Sequence, residues 1–451
     1  MSTRRFVTGI AAAVVATAAV GVAVSALAAA DFAPAAQAAP TIGSVRSAVV
    51  GTKLSVEIDA TVRKQGTIRV EGTANGRRVR LRKKVGGGSH TVALVVDPRR
   101  SRLRRVTGPV VFDLTASVQE KGSPRAERPL QARIGVPLIV LPGLGNEQSP
   151  GGFDLFGTAL DNASGGAYGF GGTSSLLVVH EYESLTKPLP GLAKDLDRAA
   201  KKLLKGSVFS KVDVVGYSMG GLVARKWMAG AGKGRVRKLV FLGTPNEGAP
   251  IAFLAGFAAR TGILDTLLAN AGGGALTGAL DTVFNDQTVG ALDNFTPTYD
   301  WATYTLPFVG TIPVDLPTLL ALFGGDTGAT TTPLETLNAT PPDPKADFHA
   351  VYYSSVPTEA FGIAVGTIDV VDLTPILPAL KPGSTPDLSG VDLAALASGS
   401  GDGIVPAHSV TMDEVPAWSQ RITKHDLGAG THVTFTLDPQ VYATVSSVLN
   451  Q

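Results

Sequence analysis

Residues 212–221 have the sequence VDVVGYSMGG, in which an apolar-rich run leads directly into a serine flanked by glycines. The run at 212–215 has the length of a buried strand, and residues 222–228 form a predicted helix after it. A tight strand-to-helix turn holds a serine hydroxyl clear of the backbone, and neighbouring glycines remove side chains that would clash. A hydroxyl becomes a good nucleophile only when a base removes its proton. The stretch therefore predicts that Ser218 is an accessible nucleophile at the end of a strand.

Strands and helices alternate on both sides of this stretch. Short apolar runs of the length of buried parallel strands lie at 136–141, 175–180, 212–215 and 239–242. Between the second and third runs, apolar residues recur at helical spacing over 192–205, and Gly206 follows where a C-cap glycine belongs. This alternation predicts an α/β fold with a doubly wound, mostly parallel sheet over residues 134–451.

Several motifs along this region resemble, in order, those of the lipase and lecithin:cholesterol acyltransferase-like branch of the α/β-hydrolase superfamily. They are LPGLG at 141–145, with Pro142 where many members have histidine, then GYSMGG at 216–221, LGTPNEG at 242–248, TPLETLN at 332–338 and GDGIVP at 401–406. The resemblance implies an α/β-hydrolase fold with Ser218 as nucleophile. It also implies an oxyanion hole formed by the backbone N–H groups of Leu144 and Met219. No cofactor and no metal are expected, because the sequence has no clear ligand set.

The acid of the expected triad follows the serine in this fold, and the histidine follows the acid. Asp402 is favoured because it lies between glycines after a strand-like segment at 349–355. Asp372 and Asp392 come earlier and lack such a turn. The expected role of Asp402 is to hold the imidazole in one tautomer and to stabilise the imidazolium.

Three histidines follow Asp402 and are candidates for the base. His408 is six residues from Asp402 and belongs to the same loop. His432 ends a Gly-rich loop before a helix-like tail at 439–449, and family members place the base in this type of loop. We therefore expect His432 to be the base, with His425 as the alternative.

Two insertions interrupt the alternating region at 249–342 and 358–400. The first is rich in Ala, Leu, Gly and Thr, and its predicted helices lie at 251–257, 263–268 and 316–323. One interpretation is a lid with an acyl-chain pocket above the nucleophile. The other is a cap subdomain with a closed core of its own.

Residues 41–133 differ from the rest of the chain in charge and pattern. They hold 20 Lys and Arg against 7 Asp and Glu, a balance of +13, whereas residues 134–451 hold 18 against 29, a balance of −11. Short β-rich runs around an Asn75-Gly76 turn predict a small all-β sandwich-like domain that ends near Gly135. Arginines at 78, 80 and 82 share one strand face, and five more lie at 99–105. These clusters are interpreted either as a surface for an anionic envelope partner or as a solvated face, and the lack of stacking aromatics disfavours nucleic acid.

Residues 1–38 have the order of an export signal: two arginines, an apolar run at 6–30 and a small-x-small site at 36–38. The double arginine also allows twin-arginine export, and an uncleaved membrane anchor is the alternative. We therefore expect a secreted or envelope-associated protein. Cysteine is absent, so disulfides and thiolate metal sites are excluded.

Together these features predict an exported serine carboxylester hydrolase, a lipase or esterase, acting on a lipid or ester substrate. An acyltransferase that passes the acyl group to an alcohol such as a sterol or sugar is the alternative. A non-catalytic binding protein ranks lowest, because the sequence retains candidates for every member of the triad.

Overall fold

The computed structural model describes most of the chain after the export segment, namely residues 39–146, 150–172, 174–250, 295, 297–299, 302–306, 310–313, 332–357, 371–372 and 400–451. Residues 302–306, 310–313 and 371–372 are described as backbone only. The predicted export signal and the three helices predicted in the first insertion lie outside the described residues. No helix among the described residues is both long and apolar enough to cross a membrane.

Residues 41–134, here called the front region, consist of antiparallel strands. Its strands are β1 (Thr41–Val50), β2 (Lys53–Val62), β3 (Gly66–Ala74), β4 (Arg77–Val85), β5 (Gly88–Val96), β6 (Val110–Glu120) and β7 (Ala126–Ile134). They form a three-stranded sheet, β1-β2-β5, and a four-stranded sheet, β4-β3-β6-β7. The hairpin predicted at Asn75-Gly76 joins β3 to β4, and both turn residues have positive φ, +43° and +72°. Inward side chains of both sheets belong to one hydrophobic core.

After Ile134 the strands become parallel. The remaining strands are β8 (Leu138–Leu141), β9 (Leu177–Val179), β10 (Val212–Tyr217), β11 (Val236–Leu242), β12 (Ala302–Leu306), β13 (Gly310–Pro313), β14 (Asp347–Tyr352), β15 (Val371–Asp372) and β16 (Ile422–Asp426). Six of them form one sheet in the order β16-β14-β11-β10-β8-β9, and each neighbouring pair is parallel. The predicted fold class is confirmed.

Helices connect and cover these strands. They are α1 (Asp154–Ala163), α2 (Leu189–Leu204), α3 (Met219–Met228), α4 (Pro333–Asn338), α5 (Ala407–Thr411), α6 (Pro416–Ser419) and α7 (Pro439–Asn450). Helix α2 ends as predicted, and Gly206 follows with φ +72°. The two insertions share a small sheet, because β12 pairs with β13 from the first insertion and with β15 from the second.

The order of the parallel sheet places its ligand crevice. The chain passes from β8 to β9 on one side and then back across to β10 on the other. In open parallel sheets, ligands bind beyond the carboxyl ends of the strands at such a reversal. Here that point lies between the residues that follow β8 and those that follow β10, which include Ser218.

The front region contacts the opposite edge of this sheet. Val106 forms a parallel bridge with Phe209, Gly51 donates to Ser174 O at 2.6 Å, and Gly135 donates to Ala167 O at 2.8 Å. Phe209 precedes β10 and Ser174 precedes β9, so these contacts lie at the amino ends of the strands. Although the strand pattern changes at the predicted boundary, residues Pro40–Gln451 form one compact unit.

Candidate active site

Ser218 lies in a strained turn between β10 and α3. Its backbone has φ +50° and ψ −124°, a combination that residues other than glycine rarely adopt. Its N–H donates to Leu242 O at 2.9 Å, and its carbonyl accepts from Gly221 N at 3.1 Å. A Cβ atom at Gly221 would come within 2.2 Å of Thr244 Oγ1, and one at Gly220 would come within 2.4 Å of Leu141 O. The glycines are therefore required by close packing, and the turn stores strain of about 1–3 kcal/mol.

Asp402 and His432 form a buried pair. His432 Nδ1 and Asp402 Oδ2 are 2.7 Å apart, and the two residues are 6% and 2% exposed. The other oxygen of Asp402, Oδ1, accepts from the backbone N–H groups of Ile404 (3.0 Å) and Val405 (2.7 Å). In addition, His432 N donates to Asp402 O at 2.8 Å, so Asp402 fixes both the ring and the backbone of the histidine. With Nδ1–H donated to the carboxylate, Nε2 of a neutral ring is left as an acceptor.

Contacts around Tyr217 join this pair to the serine turn. The hydroxyl of Tyr217, which directly precedes Ser218, donates to His432 O at 2.8 Å, and the two rings are 5.1 Å apart. Gly243 follows the strand residue that accepts from Ser218 N. A Cβ atom at Gly243 would lie 2.9 Å from Asp402 Oδ2 and 3.2 Å from His432 Nδ1. The structure thus brings all three predicted triad residues to the carboxyl edge of the parallel sheet.

The loop after β8 lies against the serine and is held by side chains. A Cβ atom at Gly143 would be 3.1 Å from Ser218 Cβ. Tyr182 donates its hydroxyl to Pro142 O, and Asn146 Nδ2 donates to Gly143 O at 3.1 Å. Because the peptide bond is trans, fixing the Gly143 carbonyl turns the N–H of Leu144 to the opposite side.

The second predicted oxyanion donor is Met219, the first residue of α3. Met219 directly follows Ser218 in the chain and is fully buried. The first N–H groups of a helix have no partner within the helix and carry its positive dipole end. Both predicted donors therefore flank the serine, one from the loop after β8 and one from α3.

The other candidate histidines have different partners. His425 lies on β16, and its Nε2 is 3.2 Å from Nδ1 of His349. Burial lowers the pKa of both rings, to about 4 for His349, where the positive charge of Lys238 adds to the effect. His408 Nδ1 contacts Glu247 Oε2 at 3.2 Å. Asp372 is described as backbone only, and Asp392 lies outside the described residues.

Sequence reasoning missed a buried polar cluster next to the loop at 401–406 that carries Asp402. Glu247 is completely buried, and burial raises the pKa of its carboxyl group. Besides His408, its carboxylate accepts from Glu414 N at 2.8 Å. Ser409 Oγ accepts from Glu247 N at 3.0 Å and donates to Gly248 O at 2.7 Å. These bonds attach α5, which follows the Asp402 loop, to the loop after β11.

Arg225 extends the cluster from α3. Its guanidinium donates to Asn246 Oδ1 (3.1 Å) and Asn338 Oδ1 (2.7 Å) and lies 4.5 Å from the Trp418 ring centroid. Burial lowers the pKa of Arg225 to about 9. Asn246, in the motif at 242–248, and Asn338, at the end of the motif at 332–338, therefore converge on Arg225, which follows the serine motif in the predicted helix at 222–228. Sequence spacing alone does not pair these polar residues.

Metal chemistry has no visible ligand set in the part of the chain that the structure describes. No group of three or more His, Asp or Glu side chains there could hold a metal ion.

A comparison with family models agrees with this geometry at the level of the fold. Residues 199–261 match the family model of a PGAP1-like alpha/beta domain, a segment that includes the end of α2, β10, α3 and β11. A comparison with curated proteins found no match. With the parallel strand order and the strained serine between β10 and α3, the match identifies an α/β-hydrolase fold, as the motifs predicted.

Solved structures similar to the chain include several bacterial lipolytic proteins. Lipase BlEst2 of Bacillus licheniformis in mature form is 15% identical with a TM-score of 0.36, and the alignment covers 70% of this chain and 92% of that one. Esterase EaEST of Exiguobacterium antarcticum is 11% identical with a TM-score of 0.34, covering 77% and 98%. Phospholipase PlaB of Legionella pneumophila is 14% identical with a TM-score of 0.34, covering 61% and 45%. Such TM-scores bear on neither activity nor substrate.

Proposed function

We propose that the protein is a serine carboxylester hydrolase that cleaves acyl esters through an acyl-enzyme on Ser218. The observation that carries the proposal is the buried Asp402–His432 pair, which contacts the residue before a strained serine. Backbone strain of this kind persists at functional sites when the surrounding structure enforces it. A strained nucleophile turn beside an oriented imidazole is the arrangement that acyl transfer to serine requires.

In the first half of the reaction, His432 Nε2 removes the proton of Ser218 Oγ, which attacks the carbonyl carbon of the ester. The carbonyl electron pair moves onto the oxygen, and Asp402 stabilises the imidazolium. The N–H groups of Leu144 and Met219 donate to this oxyanion. Losing one such donor typically costs about 2.7–4 kcal/mol in the barrier. When the carbonyl reforms, the bond to the alcohol breaks, and the alkoxide takes the proton from His432.

In the second half, water attacks the acyl-enzyme with His432 again as base. The same donors stabilise the second oxyanion. Collapse breaks the bond to Ser218, which regains a proton from His432, and the free acid leaves. No cofactor takes part in this sequence of steps.

Exposed apolar side chains beside the catalytic residues favour a lipid-like substrate. Ile404, two residues after Asp402, is 36% exposed. Val433, directly after His432, is 58% exposed, and Leu437, five residues after His432, is 66% exposed. Such groups at the rim of a site suit an acyl chain or a lipid–water interface better than a polar substrate. We further propose, from residues 1–38, that the enzyme acts outside the cytoplasm.

A panel of p-nitrophenyl esters of increasing chain length, with and without an emulsion, tests the substrate class. A lipase is expected to keep its rate on long chains and to gain rate at the interface. Rates that fall beyond butyrate and ignore the emulsion would leave an esterase. Turnover by folded Ser218→Ala equal to that of the parent would contradict the whole proposal.

Acyl transfer to an alcohol is the second candidate. It is favoured by the turn at 243–250, GTPNEGAP, which resembles that of lecithin:cholesterol-type acyltransferases. Both reactions share the acyl-enzyme, so only the acceptor distinguishes them. Measuring the partition of product between free acid and acyl-alcohol, with a sterol or a sugar present, decides between the two.

A further inference from the structure

Exposed basic side chains of the front region lie along one edge strand. Strand β4 is the outermost strand of its sheet. Its cations Arg78, Arg80, Arg82 and Lys84 are exposed, and alternation puts them on one face. Successive members are separated by about 6.8 Å, so the row is about 20 Å long. This row is linear and lies at the free edge of the sheet.

The fold adds a second group of cations beside this row. The 3-10 turn Pro98–Ser101 contacts β4. Arg100, Arg102, Arg104 and Arg105, in and after this turn, are all exposed. The backbone of Arg102 and that of Arg105 have φ of +61° and +52°, a region that non-glycine residues adopt at a cost. The eight side chains, four on β4 and four in this loop, are here called the basic surface.

Little within the protein neutralises the basic surface. Among the described residues, Arg80 is its one member with an acidic partner, Glu71, at 2.7 Å. Arg82 lies directly opposite Arg69 on β3, a like-charge pair on one sheet face. Directly opposed like charges destabilise a sheet, so this arrangement is not explained by the stability of the front region. An anionic ligand would remove the repulsion.

The position of the basic surface limits the kind of partner. The loop that carries Arg104 and Arg105 docks through Val106, whose N–H donates to Val208 O at 2.9 Å. This contact precedes β10, and Ser218 follows the other end of β10. A lipid surface held at this edge would therefore face away from the nucleophile. A polymer held there would leave the nucleophile edge free.

The composition of the front region also argues against single-stranded nucleic acid and against a folded protein partner. Phe112 is the one aromatic residue in 41–133, and it is completely buried. Binding of single strands relies on aromatic side chains that stack on bases. Tight protein interfaces rely on aromatic anchors in the same way. The basic surface offers charge and hydrogen-bond donors alone.

We propose that the basic surface binds a linear acidic polysaccharide and so holds the enzyme while its catalytic edge remains accessible. Guanidinium groups pair with carboxylate and sulfate groups in a planar, two-bond geometry, and a row of them suits a repeating anionic chain. The partner lies flat along β4 and reaches the loop at 100–105. This inference is independent of the proposed catalytic function.

Binding of the purified full chain to heparin, a soluble linear sulfated polysaccharide, tests the proposal. The variant Arg78→Gln/Arg82→Gln/Lys84→Gln is compared with Lys64→Gln/Lys121→Gln/Arg128→Gln, which removes the same charge from exposed sites of the front region elsewhere. We expect the first variant to bind at least about tenfold more weakly and with a shallower salt dependence, because it releases fewer counterions. The second variant should bind within about twofold of the parent.

Three outcomes would overturn the proposal. They are equal weakening by both variants, tighter binding to phosphatidylglycerol vesicles than to heparin at the same salt, and tighter binding to a single-stranded DNA oligonucleotide. Ester hydrolysis by the two variants is measured in parallel. Unchanged hydrolysis with weakened heparin binding supports the independence of the two edges.

Discussion

The two edges of the parallel sheet differ in how they hold their polar groups. At the carboxyl edge, Asp402 and His432 are buried, hydrogen-bonded to each other and fixed beside a strained Ser218. At the amino edge, the basic surface presents cations to solvent, of which Arg80 alone has an acidic partner among the described residues, and residues 41–133 carry a balance of +13 against −11 for residues 134–451. Burying charged and polar groups costs free energy unless every one is partnered, so a protein builds such a site only where geometry matters. Exposed charge costs little and acts over a longer range. The carboxyl edge therefore positions catalytic side chains, and the amino edge attracts anionic molecules.

The largest expected effect is the removal of the imidazole from the carboxyl edge. His432→Ala is expected to lower kcat for ester hydrolysis by about 10⁴-fold or more, because neither half-reaction then has a base. His425→Ala is the matched control, since its ring contacts His349 instead of Asp402. Hydrolysis is measured with a p-nitrophenyl ester, and thermal unfolding checks that both variants fold. A fully active His432→Ala with an inactive His425→Ala would reverse the assignment.

Two glycines with positive φ, one at each edge, sharpen the comparison. A Cβ at Gly243 (φ +52°) would meet Phe435, Asp402 and His432 within 3.2 Å, whereas a Cβ at Gly206 (φ +72°) would meet nothing within 4 Å. Gly243→Ala is expected to shift the acid–base pair and to lower kcat by about 100-fold, since a displacement near 1 Å has that effect. Gly206→Ala should lower the free energy of unfolding by about 1 kcal/mol and leave kcat unchanged.

The assay for this pair is kcat together with the midpoint of urea unfolding. Gly206→Ala serves as the control for backbone strain without steric contact. If both variants lost activity equally, strain in general, and not the contact with Asp402, would explain the loss.

Much of the fold followed from local sequence, because local sequence causes it. The turn at Asn75-Gly76 and the end of α2 at Gly206 are set by backbone preferences of individual residues. The parallel strands were predicted from apolar runs, because both faces of such strands are buried. By contrast, β1, β2 and β7 were not predicted. Two of the ten residues of β1 and one of the nine residues of β7 are buried, so the apolar pattern of these two strands is weak, whereas β2 alternates buried and partly exposed residues and its pattern does indicate a strand.

The candidate site was predictable to the extent that its residues sit in local motifs. Ser218 lies in a turn whose glycines are required by packing, and Asp402 lies in a glycine-flanked loop. The contact of Glu247 with His408 spans 161 residues, and no local rule specifies it. For the same reason, the approach of the loop at 99–105 to β4 became visible only in three dimensions.

A smaller effect concerns the stability of the folded protein, which should depend on the titration of His349, a buried ring outside the triad. His349 is 7% exposed, and burial together with Lys238 and His425 lowers its pKa to about 4, while Asp347 opposes the shift. Between the ordinary pKa near 6.5 and about 4, the unfolded chain binds a proton that the folded chain excludes. Stability is therefore fully present above the ordinary pKa and is lost as the pH falls. From pH 7.5 to pH 5 the expected loss is about 2 kcal/mol.

Urea unfolding at several pH values measures this loss. His349→Gln removes the titrating ring and should flatten most of the acid limb, while kcat at neutral pH stays unchanged because the ring does not contact the triad. An acid limb identical to that of the parent would mean that other groups cause it.

The smallest expected effect compares backbone strain at the two edges. Ser218 has φ +50° and ψ −124°, outside the left-handed helical region, whereas Arg102 has φ +61° and ψ +20°, within it. Ser218→Gly should therefore raise the free energy of unfolding by about 1 kcal/mol, the relief of strain exceeding the greater entropy that glycine gives the unfolded chain. Ser218→Ala removes the same hydroxyl and keeps the strain, so it isolates the backbone contribution. Arg102→Gly should gain only a few tenths of a kcal/mol, because the left-handed helical region is less strained. Equal gains at both positions in thermal and urea unfolding would show that the nucleophile turn stores no more strain than an ordinary loop.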